Sequence, residues 1–336
     1  MVEIYSPSGR EEKLVDFLQP EMEENGFEVL RDSAGNLIGR IGRGETKITL
    51  MGHMDTVAGE IDVREEGGKL YGRGSVDAKS PLANFIGAAS QFSDSENLEI
   101  TVIGAVEEET SSRGAYEVTR DFSADYVVIG EPSGWNGITL GYRGSFCLNY
   151  ELELPKTHRG EGSALPGEKA VSFYRELKEL FPSDSSGFYN TDVRLTKLNT
   201  DEGPFADSVE MRLDIRTGPD YEPEDLEGFL ASHGGRAKID RTREIPPVRS
   251  SKRNKLVSAF LSGIREAGGQ PKFKLKTGTA DMNIVAQNWE GPIIAYGPGD
   301  SSLDHTPNEH LALEEFERAG EVLESALGTL EDVSGE

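Results

Sequence analysis

Two histidines and a series of carboxylates stand at positions where they could hold metal ions and move a proton. His53 lies in His53-Met54-Asp55, directly after the apolar run Lys47–Met51 and Gly52. With Met54 turned away, Asp55 can accept the second imidazole N–H and fix the tautomer, as carboxylates do behind metal-bound histidines. Asp77 follows Gly72-Arg73-Gly74, whose glycines permit an unusual backbone path shortly before a helix start. Alone, that aspartate would read as a helix cap. Glu107-Glu108-Glu109 is less ordinary. Adjacent like charges repel, no i,i+4 partner relieves them within the triplet, and their position points to a cation or proton shared nearby. Glu131 repeats the arrangement after Tyr126–Gly130. His305, in Asp304-His305-Thr306-Pro307-Asn308-Glu309, precedes the last expected helix, and Glu309 is expected to cap that helix or hold the histidine.

Imidazole and carboxylate ligands suit zinc, cobalt or manganese. The single cysteine, Cys147, excludes an intramolecular disulfide and any Cys-rich cluster. Two histidines and several carboxylates exceed the needs of one tetrahedral zinc, but suit two ions sharing a carboxylate. Two ions ~3.5–4 Å apart could activate a water and polarise a carbonyl. A glutamate left free of them would shuttle the proton.

The elements that must position these groups follow from periodicity. Glu11–Gly26 carries apolar residues at helical spacing, Phe27–Leu30 and Leu37–Ile41 read as strands, and Ser80–Phe92 reads as a helix. Lys47–Met51, Leu98–Val106 and Tyr126–Ile129 are apolar strands, each running into polar residues at its C-terminal end. Open α/β sheets place their sites there. The character changes near Gly141. Strands Ser145–Leu154, Ser208–Ile215 and Ala237–Thr242 and helices Glu168–Leu180 and Glu222–His233 form a two-helix, one-sheet module ending near Pro246-Pro247. Helix Leu256–Ala267, strand Ile293–Tyr296 and a terminal helix Glu309–Leu327 follow, with Val333–Glu336 as a frayed tail. A module at 142–246 inserted into an α/β domain of 1–141 and 247–336 explains this order.

Composition narrows the function classes. Sixty acidic against 35 basic residues in 336 give a formal charge of −25, which argues against a nucleic-acid-binding surface over the whole chain. No basic-then-apolar leader and no run of 18 apolar residues appear, so a cytoplasmic protein without a membrane segment is expected. Fourteen Phe and ten Tyr speak against acidic disorder. Folding against such repulsion is easiest in concentrated salt, where the Debye length falls to ~3 Å at 1 M, so a haloadapted host is expected.

The ordered set His53-Met54-Asp55, Gly72-Arg73-Gly74 with Asp77, Glu107–Glu109, Gly130-Glu131-Pro132 and His305 resembles the dinuclear-zinc aminoacylase/carboxypeptidase family, which includes acetylornithine deacetylase and succinyl-diaminopimelate desuccinylase. The resemblance spans nearly the whole chain. It implies a zinc-exopeptidase-like α/β catalytic domain with an inserted two-layer α+β lid that also carries a homodimer contact. It implies that His53 and Glu131 hold one Zn²⁺ or Co²⁺, that Glu109 and His305 hold the other, and that Asp77 bridges them. Asp55 would orient His53. Glu108 would be the general base, a register supported by Ser111-Ser112-Arg113-Gly114, although the family commonly has Asp-Glu-Glu at this triplet. In the lid, His158 resembles the histidine that stabilises the oxyanion, although Arg159-Gly160-Glu161-Gly162-Ser163 departs from the family's pattern after it. Arg216 resembles the arginine that takes a substrate carboxylate. Thr279, in Gly278-Thr279-Ala280-Asp281, resembles a substrate contact, with Ala280 in place of the usual serine. His233 and His310 match nothing, and read as a helix-end residue and a surface or core residue.

Compact length, Gly141-Tyr142-Arg143-Gly144 and the Glu107–Gly114 run are most similar to the LysW-lysine/LysW-ornithine hydrolase branch. That branch releases lysine or ornithine from the terminal glutamate of a small acidic carrier protein. The alternatives are deacylation of N-acetylornithine or N-succinyl-diaminopimelate, and a metal-dependent aminopeptidase or dipeptidase. Charge patterning favours a carrier. Arg236–Lys276 holds 12 basic and three acidic residues, a local +9 that leaves −34 elsewhere. Such a segment could orient an acidic partner, or simply be a solvated face that offsets the acidic bulk.

Overall fold

The first helix, α1 (Glu12–Glu24), turns Leu14, Val15, Leu18 and Met22 inward at helical spacing. The chain leaves it through Gly26, whose φ of +88° a residue without Cβ adopts freely. The computed structural model describes residues 1–121, 124–156, 162–182 and 187–334.

After α1 come β1 (Glu28–Arg31), β2 (Leu37–Gly42), β3 (Thr46–His53), β4 (Arg64–Glu66), β5 (Lys69–Tyr71), α2 (Lys79–Ser90), β6 (Leu98–Ala105), α3 (Arg113–Asp121), β7 (Tyr126–Gly130) and β8 (Gly137–Tyr142). The middle of the chain forms β9 (Gly144–Pro155), α4 (Pro166–Leu180), β10 (Asp192–Glu202), β11 (Ala206–Thr217), α5 (Pro223–His233), β12 (Lys238–Ile245) and β13 (Val248–Arg249). The remainder supplies α6 (Lys255–Glu266), β14 (Lys272–Lys276), α7 (Asp281–Val285), β15 (Ile293–Tyr296), β16 (His310–Ala312) and α8 (Leu313–Ser334). Two compact units result. One comprises Met1–Gly141, Ser250–Leu275 and Ala280–Glu336, and the other Tyr142–Arg249 with Lys276–Thr279.

The first unit is built on a mixed sheet with the order β1-β2-β6-β3-β7-β15-β8, and β14 pairs with β8. Its centre is parallel. His53 of β3 lies opposite Ala105 of β6, and Gly52 lies opposite Gly130 of β7, so the three expected apolar strands end side by side. Leu50, Ile100, Val102 and Val128 pack with Phe85, Phe260 and Leu323 from the covering helices in one core. Burying such side chains stabilises the unit by roughly 1.5–3 kcal/mol each. Helix α2 approaches the strand ends closely. A Cβ on Gly130 would meet the Phe85 ring at 2.9 Å and the Gly52 backbone at 3.2 Å. A small sheet, β16-β5-β4, pairs His310 with Tyr71 and so runs the segment before β16 beside the segment after β5.

In the second unit, an antiparallel sheet of order β10-β11-β9-β12 buries Phe146, Leu148, Leu213 and Ile215 against Phe173 and Leu177 of α4 and Leu226 and Phe229 of α5. This is an α/β unit with a separate two-layer insert.

Two expectations need correction. The terminal helix runs from Leu313 to Ser334 rather than from Glu309 to Leu327, because His310–Ala312 are drawn into strand pairing with Lys69–Tyr71, and it takes in Val333 and Ser334 of the expected frayed tail. Strand β10 has no counterpart among the expected elements, since its residues from Arg194 onward are exposed and mostly polar. No helix among the described residues is long and apolar enough to cross a membrane.

Candidate metal centre

Because β3, β6 and β7 end together, the residues that follow them converge within the first unit. His53 closes β3 and is 2% exposed. Its Nδ1 lies 2.9 Å from the backbone carbonyl oxygen of Asp55. A carbonyl only accepts, so Nδ1 carries the proton and Nε2 of the neutral ring is bare. That bare Nε2 stands 3.2 Å from Asp77 Oδ1, lone pair facing lone pair. The contact requires positive charge, supplied by a second ring proton or by a metal ion. Burial alone would push the His53 pKa down, but hydrogen bonds to Asp55 and Asp77 and the charge of Glu108 hold it well above its usual value.

Asp77 uses its other oxygen on the second histidine. His305 Nε2 lies 3.0 Å from Asp77 Oδ2 and 3.1 Å from Glu109 Oε1. Hydrogen bonds donated to Asp77 and Glu109 raise the His305 pKa to about 10. Burial works against ionisation of Asp77, yet the two imidazoles hold its carboxyl well below the usual carboxylate range. It is not the N-cap of helix α2, a position held by Ala78. Ligands about 2.0–2.2 Å from a tetrahedral ion stand roughly 3.3 Å apart. The 3.0–3.2 Å separations here therefore match donors around a shared cation. Ligand atoms within 4.8 Å of one another form two groups, His53 with Glu108 and Glu109, and Asp77 with Glu109 and His305. Glu131, directly after β7, lies outside both groups among the described residues, whereas Glu108 lies within the first.

The acidic triplet divides its labour. Glu107 has φ +60°, and its carbonyl oxygen accepts N–H groups from Ser111 and Ser112 at 3.0 and 2.6 Å. Its carboxylate binds Ser111 and Arg113. Glu107 is thus the turn residue, which leaves Glu108 and Glu109 for the cluster. The turn closes where Gly114 meets the end of β6, since a Cβ there would lie 2.7 Å from Val106 N. Burial raises the Glu108 carboxyl well above its ordinary pKa, opposed by the charge of His53 and reinforced by Glu131, Asp281 and Glu109.

Asp55 has more partners than the imidazole alone. Its carbonyl is the closer partner of His53, with Oδ1 at 3.5 Å. The carboxylate instead accepts from Glu108 N at 3.0 Å, Glu109 N at 3.1 Å and Ser8 Oγ at 2.6 Å. Burial raises its pKa, but the hydrogen bond and charge of His53, with Ser8 and the Glu109 N–H, bring it below its ordinary value.

Several contributors escape sequence reasoning. Glu11 Oε1 accepts from Glu107 N at 3.1 Å, and Asn36 bridges Val106 N and Gly114 O. Asp281, 2% exposed, is pushed by burial to about 7 against the charge of His53. Glu11 and Asn36 carry no local signal beyond being polar, and Asp281 stands in the Gly278–Asp281 motif with no role of its own assigned from sequence. Glu309 neither caps a helix nor holds His305. It accepts from Val76 N and Asp77 N and pairs with Arg73.

The second unit contains the expected substrate residues. Arg216 donates to Thr279 Oγ1 at 3.4 Å and pairs with Asp214, while buried Arg143 donates to the Arg216 carbonyl at 2.7 Å. His158 lies outside the described residues. His233 stacks on Phe229 at the end of α5, and His310 contacts Lys69 and Tyr71.

The sequence profile described as Peptidase family M20/M25/M40 matches residues 49–329. A LysW-lysine hydrolase of Deinococcus radiodurans is 41% identical over 343 aligned positions, covering 98% of this chain and 94% of the relative. A LysW-lysine/LysW-ornithine hydrolase of Saccharolobus islandicus is 30% identical, covering 94% and 90%. Among solved structures, a tripeptidase from Staphylococcus aureus superposes with a TM-score of 0.80 at 19% identity, covering 100% of this chain and 96% of that one. That last likeness bears on the fold alone.

Proposed function

The chain belongs to Peptidase family M20/M25/M40, and from that membership we propose that it is a two-metal amidohydrolase releasing L-lysine or L-ornithine from the C-terminal glutamate of a LysW-like acidic carrier protein, in lysine or arginine biosynthesis. The observation that carries hydrolysis is Asp77, which sets one oxygen against His53 and the other against His305. The carrier rests on the names of relatives aligned over nearly their whole length, and on the basic segment Arg236–Lys276.

His53, Asp77, Glu109, Glu131 and His305 would hold two zinc or cobalt ions, which supply Lewis-acid polarisation of the amide carbonyl and ease deprotonation of water. Glu108 performs the proton transfer. As a carboxylate it takes the proton of the attacking water and returns it to the departing α-amine, and burial, which raises its pKa, makes it the stronger base. Asp55 fixes the ring of His53 and the backbone of Glu108. His158 would donate to the developing oxyanion, and Arg216 with Thr279 would receive a substrate carboxylate. The second unit would serve as the lid and the homodimer contact of a cytoplasmic enzyme.

The test is an assay of the purified protein on carrier-linked lysine and ornithine, N-acetylornithine and N-succinyl-diaminopimelate, with metal content measured in parallel. The conjugates are expected to give the highest kcat/KM. Preference for a small N-acyl substrate would overturn the carrier reading, and a requirement for a free α-amine would identify an aminopeptidase.

A further inference from the structure

Glu309 is completely buried, yet its carboxylate pairs with main-chain N–H groups and an arginine rather than with the side chains of the metal-ligand candidates. Oε1 accepts from Val76 N at 2.9 Å and from Asp77 N at 3.1 Å. Oε2 pairs with Arg73 Nη1 at 2.7 Å, and Arg73 Nε in turn donates to the Gly59 carbonyl at 3.0 Å. The main chain adds to the connection, for Gly72 N donates to the Glu309 carbonyl oxygen at 3.4 Å. Glu309 follows His305 by four residues, and β16 begins immediately after it. The pairing of β16 with β5 sets the segment that carries His305 alongside the segment that carries Asp77.

From these contacts we infer that Glu309 is a positioning residue for the metal centre, a latch that fixes the main chain of Asp77 to the segment bearing His305. The carboxylate of Asp77 must present one oxygen to each histidine, so its backbone can neither rotate nor shift without losing one contact. Two N–H groups on one carboxylate oxygen, one of them from Asp77 itself, restrain that rotation. Arg73, paired with Oε2, keeps the buried carboxylate turned toward the loop. A lone buried ion pair contributes little net stability, since desolvation offsets its attraction. The pairing is better explained by the geometry it imposes. This inference rests on the reading of Asp77 and His305 as cation ligands.

Cobalt titration of chelator-treated protein tests it, read by visible absorption and calorimetry, with far-UV circular dichroism and Tm as controls for folding. Failure of the parent chain to bind Co²⁺ would remove the metal reading itself. If the parent binds, Glu309→Ala should bind Co²⁺ about 10–100-fold more weakly, the usual cost of losing a residue that orients a ligand. Its Co²⁺ absorption spectrum should also change. Glu309→Gln keeps an oxygen for both N–H groups, so it should recover parent-like affinity while its Tm falls. An unpaired, buried Arg73 can by itself block folding of the alanine variant. The double variants Arg73→Met/Glu309→Gln and Arg73→Met/Glu309→Leu therefore ask the same question without a buried charge. Only the glutamine member should bind like the parent. Parent-like affinity in Glu309→Ala, or equal affinity in the two double variants, would overturn the latch.

Discussion

The carboxylate of Asp55 accepts the backbone N–H of Glu108 at 3.0 Å, so one buried aspartate sets both a histidine ring and the main chain of the proposed base. Its second oxygen takes Glu109 N at 3.1 Å. A run of three acids would otherwise spread apart by repulsion. Here Asp55 holds the main chain of Glu108 and Glu109, and Glu11 holds that of Glu107.

Replacing Asp55 with Asn leaves one acceptor oxygen and turns an amide donor toward an N–H donor. We expect kcat to fall about 10–100-fold, as for other groups that orient ligands and base. Steady-state kinetics with metal analysis checks this, and unchanged kcat would contradict the clamp.

Glu108→Gln retains shape but cannot take a proton. Metal content should remain at the parent value, while kcat falls by about 10²–10⁴. Substantial surviving turnover would move the base elsewhere.

Stripped of metal, the protein should lose stability as pH rises. Asp281 titrates at about 7 when folded, against an ordinary value of 3.8, so the folded state holds the extra proton between those values and stability falls across them. His305 titrates at about 10 against an ordinary 6.5. Its contribution is complete below 6.5 and is lost as pH climbs through about 10. Lowered Asp77 acts in the opposite direction, and only on acidification below its ordinary 3.8. Tm measured from pH 5 to 10 should therefore decline in the stripped protein. Zinc should remove most of the decline by replacing the ring protons.

The exposed cations Lys252, Arg253 and Lys255 lie at the start of α6, and Lys252 Nζ stands 4.9 Å from the Phe273 ring. Neutralising Lys252 and Arg253 together with Arg249 and Lys255 should lower kcat/KM for a carrier conjugate by about tenfold or more at low salt. Turnover of N-acetylornithine should not change. An equal loss on both substrates would remove the docking role.

The charge of −25 also predicts a salt response. Tm should rise with KCl toward molar concentrations as repulsion is screened. A Tm that is flat in salt would count against haloadaptation.

Apolar runs and their polar ends make much of this molecule legible from its residues alone. A stretch such as Thr101–Val106 reads as a buried strand, and acids directly after it must emerge at a sheet edge. Periodicity also separates the insert near Gly141, because alternating strands replace buried parallel ones there. Hydrogen-bond partners are another matter. Glu309 meets Val76 across 233 positions, and Asp55 meets Glu108 across 53. Nothing local distinguishes those carboxylates from solvated ones. The start of α8, the existence of β10 and the return of Lys276–Thr279 to the second unit are equally hidden, for each depends on which distant strand or unit accepts the segment. Side-chain pattern determines which face is buried. Packing of the assembled elements decides which buried polar group finds which partner, and on that choice rest the roles of ligand, base, clamp and latch proposed for the acids.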